Sequence, residues 1–493
     1  GEAYGVMDIS GSNNKLLINN DISVMSAKAV HGGEATFTYG GSNNSVQTKN
    51  FKVGNTTNDN VYLKGEDGKE LRDENGQWIL DTENSYQSDG GKGTFVMNAT
   101  NSTLTVTGDM RIHSEDADRV STIQGGEGHA TFGGSGNTVT IGGQAQVNNG
   151  NHTAAGTGSL AFTGSDNVFS IAKNLSIASN WGMSGGEAHV TYDGSGNKLS
   201  VGGDLLVGNM GNGNFYKMVQ DESGNWVRAK DEDGKDIVVE SYRSTGGLGT
   251  FVMGGSNNEL TVTGQFKVNS AGDIDGGEGY ATFGGTNNKV TITGDARVGN
   301  HDRSTGGIGE LTFSGKGNTI TFGTLMIGGG TEYKGGHGKL IFSGGGNTVN
   351  VTKNFQGWSD SVKDLNNMVG AIMEWQVDMD GVTTLNVAGN FAYDGYLIVD
   401  FSKVVGPVQN QEYVLITGDT ATEWALDESL VQKILRDESD IVSIVKEDLE
   451  DGSWALKAYY TSTVPEPAAF AALMGLAALL FAARRRKFDA SKN

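Results

Sequence analysis

Along most of this chain, apolar and polar side chains alternate in short runs, the period of a strand and not of a helix. The runs are themselves periodic. The segment Gly276–Asn300, GGEGYATFGGTNNKVTITGDARVGN, recurs with drift about ten times. The last apolar residue of its first strand falls at Ile9, Tyr39, Met97, Phe132, Phe162, Tyr192, Met253, Phe283, Phe313 and Phe342. Seven residues beyond each stands Leu16, Val46, Leu104, Val139, Phe169, Leu199, Leu260, Val290, Ile320 or Val349. A further column runs from Ile18 to Val351, and a third pair such as Ala296 and Val298 completes the unit. Each unit therefore predicts three short strands separated by glycine-rich corners. One unit cannot bury a one-sided apolar row, but stacked units place each column over itself and make a continuous core. The expected fold class is all-β: a right-handed parallel β-helix of about ten three-strand coils, its hand taken from the parallel-crossover rule.

The corners carry their own column. Asn14, Asn44, Asn137, Asn167, Asn197, Asn258, Asn288, Asn318 and Asn347 each stand five residues after the first-strand anchor, with Ser102 in the remaining unit. Stacked asparagines can hydrogen-bond along the axis and satisfy corner backbone groups, which makes them a structural ladder; a row of ligand sites is the alternative. Two insertions, about 56–89 and 213–245, interrupt the array at matching places in a block of coils that is duplicated about 150 residues apart. They contain DENGQW and DESGNW and read as hairpin flaps on one face. Their tryptophans, Trp78 and Trp226, are candidate surface contacts that could stack on sugar rings. Hairpin packing is the blander reading.

The repeat decays near Trp358. Residues 1–357 are read as the solenoid body and 358–460 as a C-terminal coil and β-rich cap, since an uncovered end would leave an aggregating edge. A small separate domain is the alternative. Within 358–460 the spacing of Leu430, Val431, Ile434 and Leu435 predicts a short helix over 427–436.

Composition narrows the function. There are 77 glycines, three prolines and no cysteine, so disulfides and thiolate metal sites are excluded. The net charge of −22 argues against nucleic acid as a partner. The chain opens at Gly1 without an initiator methionine or an apolar leader, as expected of a processed export precursor or of a fragment.

Residues 461–493 form a different kind of segment. Val464-Pro465-Glu466-Pro467 precedes an uncharged stretch from Ala468 to Ala483, and Arg484-Arg485-Arg486-Lys487 follows it. Sixteen residues span roughly 24 Å as a helix, so 468–483 is read as a C-terminal transmembrane helix with a basic cytoplasmic stop. An ordinary single-span anchor would have the same hydropathy. The three elements in this order resemble the PEP-CTERM sorting signal of Gram-negative bacteria. The resemblance implies recognition by an exosortase, a membrane transpeptidase, with Val464 to Pro467 as the sorting motif and Arg484 to Lys487 as the stop element. It further implies a transient stay in the inner membrane, then transfer to the outer envelope, cell surface or matrix. The six residues after Lys487 depart slightly from the pattern. The coils, in style alone, also resemble autotransporter passengers and glycine-rich adhesins.

Chemistry is sparse in the sequence. Glu127, Glu187 and Glu278 share a column, as do His129 and His189, but Thr157 and Ser159 of the intervening coil separate the first two members of each. Asp231, Asp233 and Asp236 form a weak calcium candidate, against which stands a solvated hairpin tip. No cofactor is expected. The reading is a secreted structural or adhesin-like protein, not an enzyme, with extracellular polysaccharide as a candidate partner. A carbohydrate-active β-helix enzyme is the alternative, which a lateral groove with three or more clustered charged side chains would favour.

Overall fold

A computed structural model describes residues 4–26, 31–54, 59–86, 90–113, 126–148, 156–179, 184–208, 213–242, 246–270, 273–299, 303–328, 337–357, 370–378, 380–405, 408–419 and 424–462. They are almost wholly β-structure, arranged in long parallel sheets. The first sheet has thirteen strands, from Tyr4–Ile9 through Thr157–Phe162 and Arg303–Phe313 to Val431–Ile434. Two further parallel stacks carry the second and third strand of each coil; Thr138–Ile141 and Ala145–Val147 are one such pair.

The register follows the apolar columns. Ile9 pairs with Tyr39, Phe132 with Phe162, Tyr192 with Met253 and Phe313 with Phe342. In the second stack Leu104 pairs with Val139 and Ile320 with Val349. These side chains are buried almost without exception beyond the first coil. Rings stack along the axis: Phe132 on Phe162 at 5.8 Å, Phe313 on Phe342 at 5.2 Å and Phe342 on Trp375 at 4.3 Å. Each such pair contributes about 1 kcal/mol beyond area burial. The close stacking also explains the glycines at the first corner. At Gly164, where φ is +83°, a Cβ would lie 2.1 Å from the carbonyl oxygen of Gly134 in the coil before.

The stacking continues past the decayed repeat. Gly370–Gln376, Thr384–Val387 and Phe391–Tyr393 pair in parallel with the preceding coil and add one more. The end is then closed by antiparallel pairing: Val408–Gly418 joins Trp454–Ser462, which joins Ile441–Asp448. Trp424 and Trp454 pack edge-on against Phe391 at 4.9 and 5.3 Å and cover the last rung of the core.

One expectation is corrected. The helix over 427–436 is absent: Asp427 caps a single 3-10 turn, Glu428–Leu430, and Val431–Ile434 is a strand paired with Leu397–Asp400. The open edge of the first sheet offers Val431 a ladder of backbone partners, which outweighs the weak helical preference of so short a segment. The flaps contain antiparallel hairpins, to which a third extended segment is added. In the first, Leu71 N–H donates to Leu63 O, Ile79 N–H to Leu71 O and Leu63 N–H to Ile79 O, at 2.7, 3.0 and 2.9 Å. The second repeats the triangle with Lys217, Ala229 and Ile237. Each is three extended segments closed on one another, joined by Asp-x-x-Gly turns such as Asp73–Gly76, Asp221–Gly224 and Asp231–Gly234.

Candidate functional site

Two corners of the coil are lined by polar ladders, and the ladders run in opposite directions. At the first, the side-chain oxygen of each asparagine accepts the backbone N–H of the coil before: Asn14 N–H to Asn44 Oδ1, Asn137 N–H to Asn167 Oδ1 and Asn318 N–H to Asn347 Oδ1, at 2.8 to 2.9 Å. The amide nitrogen donates to glycine-turn carbonyls, as from Asn44 to Gly40 and from Asn288 to Gly284. All but Asn14 are buried. Both ends of each side chain are thus committed to backbone. At the second corner Asn50 Oδ1 accepts from Asp109 N–H, Asp109 Oδ1 from Gln144 N–H and Asp204 Oδ1 from Gln265 N–H, each in the coil after. Sequence reading missed this column because Asn, Asp and Gln alternate in it.

The flap tryptophans are engaged with one another through a single arginine. The Arg72 guanidinium carbon lies 3.4 Å from the Trp78 ring centroid and 4.2 Å from that of Trp226, so one cation joins the two insertions. Met218 N–H donating to Asn75 O and Gln77 Nε2 donating to Tyr216 O complete the contact. The tryptophans keep 39% and 38% exposure, enough to leave ring surface open to solvent. In the same flap, Asp231 Oδ1 accepts from Asp233 and Lys235 N–H, while Asp236 is paired with Arg228 at 3.0 Å and Lys230 at 3.2 Å. These partners hold the Asp236 carboxyl below the usual range. The Asp231 and Asp236 carboxylates are turned to N–H groups and cations, and no cluster able to hold a metal occurs among the described residues.

The outer face of the first sheet carries a row of ionisable groups in mutual contact. Along one row, register pairing sets Thr94, His129, Ser159, His189, Thr250, Tyr280, Glu310 and Lys339 side by side. His129 Nδ1 lies 2.7 Å from Ser159 Oγ, and its Nε2 lies 3.1 Å from Glu127 Oε2. The arrangement repeats with His189, Thr250 and Glu187 at 2.9 and 3.1 Å. Ser159, which separates the histidines, is therefore the partner of one of them. The His129 hydrogen bond, joined by Lys92 at 3.4 Å, keeps Glu127 below the usual carboxylate range. Both groups stand on an open sheet face, with the glutamates about half exposed.

Further along, Lys339 Nζ lies 2.7 Å from Glu374 Oε2, with 20% and 13% of the two side chains exposed. Burial pushes Glu374 up, but hydrogen bonds from Lys339 and Gln376 outweigh it and leave the carboxyl below the usual range. Glu310 shifts the other way: burial raises it, and Lys339 and Thr312 only partly compensate. A cavity of about 270 Å³ opens beside it, lined by Ile308, His337, Gly338 and Ile372 among others. The sequence signal for this cluster was available: Glu310 and Lys339 each stand one residue before a buried leucine, Leu311 and Leu340, so that GELTF and GKLIF align.

The sorting residues Val464 to Pro467, the apolar stretch 468–483 and Arg484 to Lys487 lie outside the described residues. Among the described residues no helix is long and apolar enough to cross a membrane. Residues 463–487 match the PEP-CTERM protein-sorting motif. A PEP-CTERM motif is an exosortase-substrate signal and indicates export and sorting to the cell surface. No curated protein matches the chain.

Proposed function

We propose that this PEP-CTERM chain is a structural or adhesin-like component of the outer envelope or extracellular matrix, a β-solenoid displayed after exosortase processing. The observation that carries the reading is the joining of a sorting motif to a body whose polar groups are mostly spent on holding coils together. A second support is one outward row of the second sheet. Gln47, Thr105, Thr140, Ser170, Ser200, Thr261, Thr291, Thr321, Asn350, Asn386 and Thr417 form it, without a charge. In this reading 468–483 spans the inner membrane until cleavage, Arg484 to Lys487 stay cytoplasmic, and extracellular polysaccharide is a partner. Replacing Pro465-Glu466-Pro467 by alanines is expected to leave uncleaved protein in the inner-membrane fraction; unchanged processing and surface delivery would overturn exosortase sorting. The second reading, a carbohydrate-active enzyme, is favoured by the Glu310–Lys339–Glu374 cluster. Polysaccharide cleavage by the native chain that is lost in Glu374→Gln would replace the structural role with it.

A further inference from the structure

Of the three charged groups in the cluster on the first sheet, only two are matched. The Lys339 ammonium is committed to Glu374 at 2.7 Å, and Gln376 Nε2 donates to the same carboxylate at 2.7 Å. Glu310 has no cation within ion-pair distance among the described residues; its one hydrogen bond comes from Thr312 Oγ1 at 3.4 Å. A half-buried carboxylate without a counter-ion is costly, and its cost is relieved by a proton or by a cation brought from outside. The groove beside it is suited to the second. It is lined by Ile308 and Ile372, by Gly307 and Gly338, and by Glu310, His337 and Lys339, the last already held by Glu374, and its volume of about 270 Å³ holds a short unbranched chain.

We propose that this cavity binds a primary alkylammonium group, the charge meeting Glu310 and the methylene chain lying between Ile308 and Ile372. Two sources share that chemistry, a free aliphatic diamine and the side chain of a lysine in another protein. The trio then becomes charge-balanced: two carboxylates, Lys339 and the bound ammonium. Burying the methylene chain between the two isoleucines adds to the affinity of the charge alone. The proposal is independent of the structural reading, because it concerns a small cation and not polysaccharide.

The test is titration calorimetry on the full chain in detergent micelles, with cadaverine and with Nα-acetyl-lysine methylamide as probes and pentanol as the uncharged control. Saturable binding of an amine is expected, with none for pentanol. Binding of both amines assigns the site to the shared group; binding of cadaverine alone assigns it to free diamines, and of the lysine derivative alone to protein lysines. Glu310→Gln should weaken binding at least about tenfold, the equivalent of 1.4 kcal/mol. Lys339→Met, which leaves a second carboxylate unmatched, should tighten it several-fold. The opposite signs separate recognition from a general loss of fold. No binding of either amine at about 10 mM, well above a weak millimolar Kd, or equal affinity in Glu310→Gln, would overturn the proposal.

Discussion

The outward rows of the first and second sheets are carried by the same coils, over one core, yet their chemistry differs. One outward row of the second sheet shows solvent an uninterrupted series of hydroxyl and amide groups from Gln47 to Thr417, beside a row in which Lys198, Glu259 and Lys289 pair. The first shows histidines, glutamates, a tyrosine and lysines, gathered into mutual contact at His129, His189 and Lys339. Stacking dictates the inward positions of both, because a buried residue must fit the one above and below it. It leaves the outward positions free. A solenoid can therefore hold an inert row and an ionisable row over one core, and binding chemistry belongs on the second kind.

The largest effect is expected where both faces depend on one group. Asn197 is fully buried; its Oδ1 accepts from Asn167 N–H, and its Nδ2 donates to Gly164 O and Asp193 O. Asn197→Ala would orphan a buried N–H at the corner joining the two sheets, costing about 2–3 kcal/mol. Chemical denaturation should show it, with faster hydrogen exchange in the neighbouring coils on both faces. If only one face loosened, the ladder would not be what couples them.

Lys339→Met should act on the first face alone. In the native chain the depressed Glu374 contributes stability that is present above its unfolded pKa and lost as pH falls through its folded one. Without Lys339, burial dominates and the Glu374 carboxyl rises. The variant then carries a penalty at neutral pH that fades on acidification, as this carboxyl takes up its proton. Partial exposure limits the gap to about 1–2 kcal/mol. The gap should be widest near pH 7 and close in the acid range. A gap that did not change with pH would mean that lost packing of the lysine stem accounts for it.

How much of this could be read in the sequence follows the same division. The inward columns were legible because every coil repeats them: Phe283 over Met253 and Val290 over Leu260 are both visible as spacing. The first asparagine ladder was legible for the same reason. The second was not, because Asn50, Asp109, Asn174 and Asp204 all place an acceptor at that corner while Gln144 and Gln265 enter it through backbone N–H alone, so geometry and not one residue type defines the column. The strand at Val431–Ile434 was hidden because its partners, Leu397–Asp400, are supplied by tertiary structure. Arg72 between Trp78 and Trp226 was hidden because the tryptophans are far apart in sequence and each has a local explanation. The sorting motif needed no structure, since recognition reads it as a linear segment.

The smallest effect should come from the uncharged row, and its smallness is informative. Thr140 faces solvent between Thr105 and Ser170, and its hydroxyl has no hydrogen-bond partner among the described residues. Thr140→Val removes that hydroxyl while keeping the branched shape that suits a strand. Stability should stay within about 0.5 kcal/mol of the native chain by denaturant titration. A loss of several times that size would mean that the hydroxyls are linked along the axis as the corner amides are. That row would then belong to the scaffold, and the contrast between an inert and an ionisable row would rest on the first sheet alone.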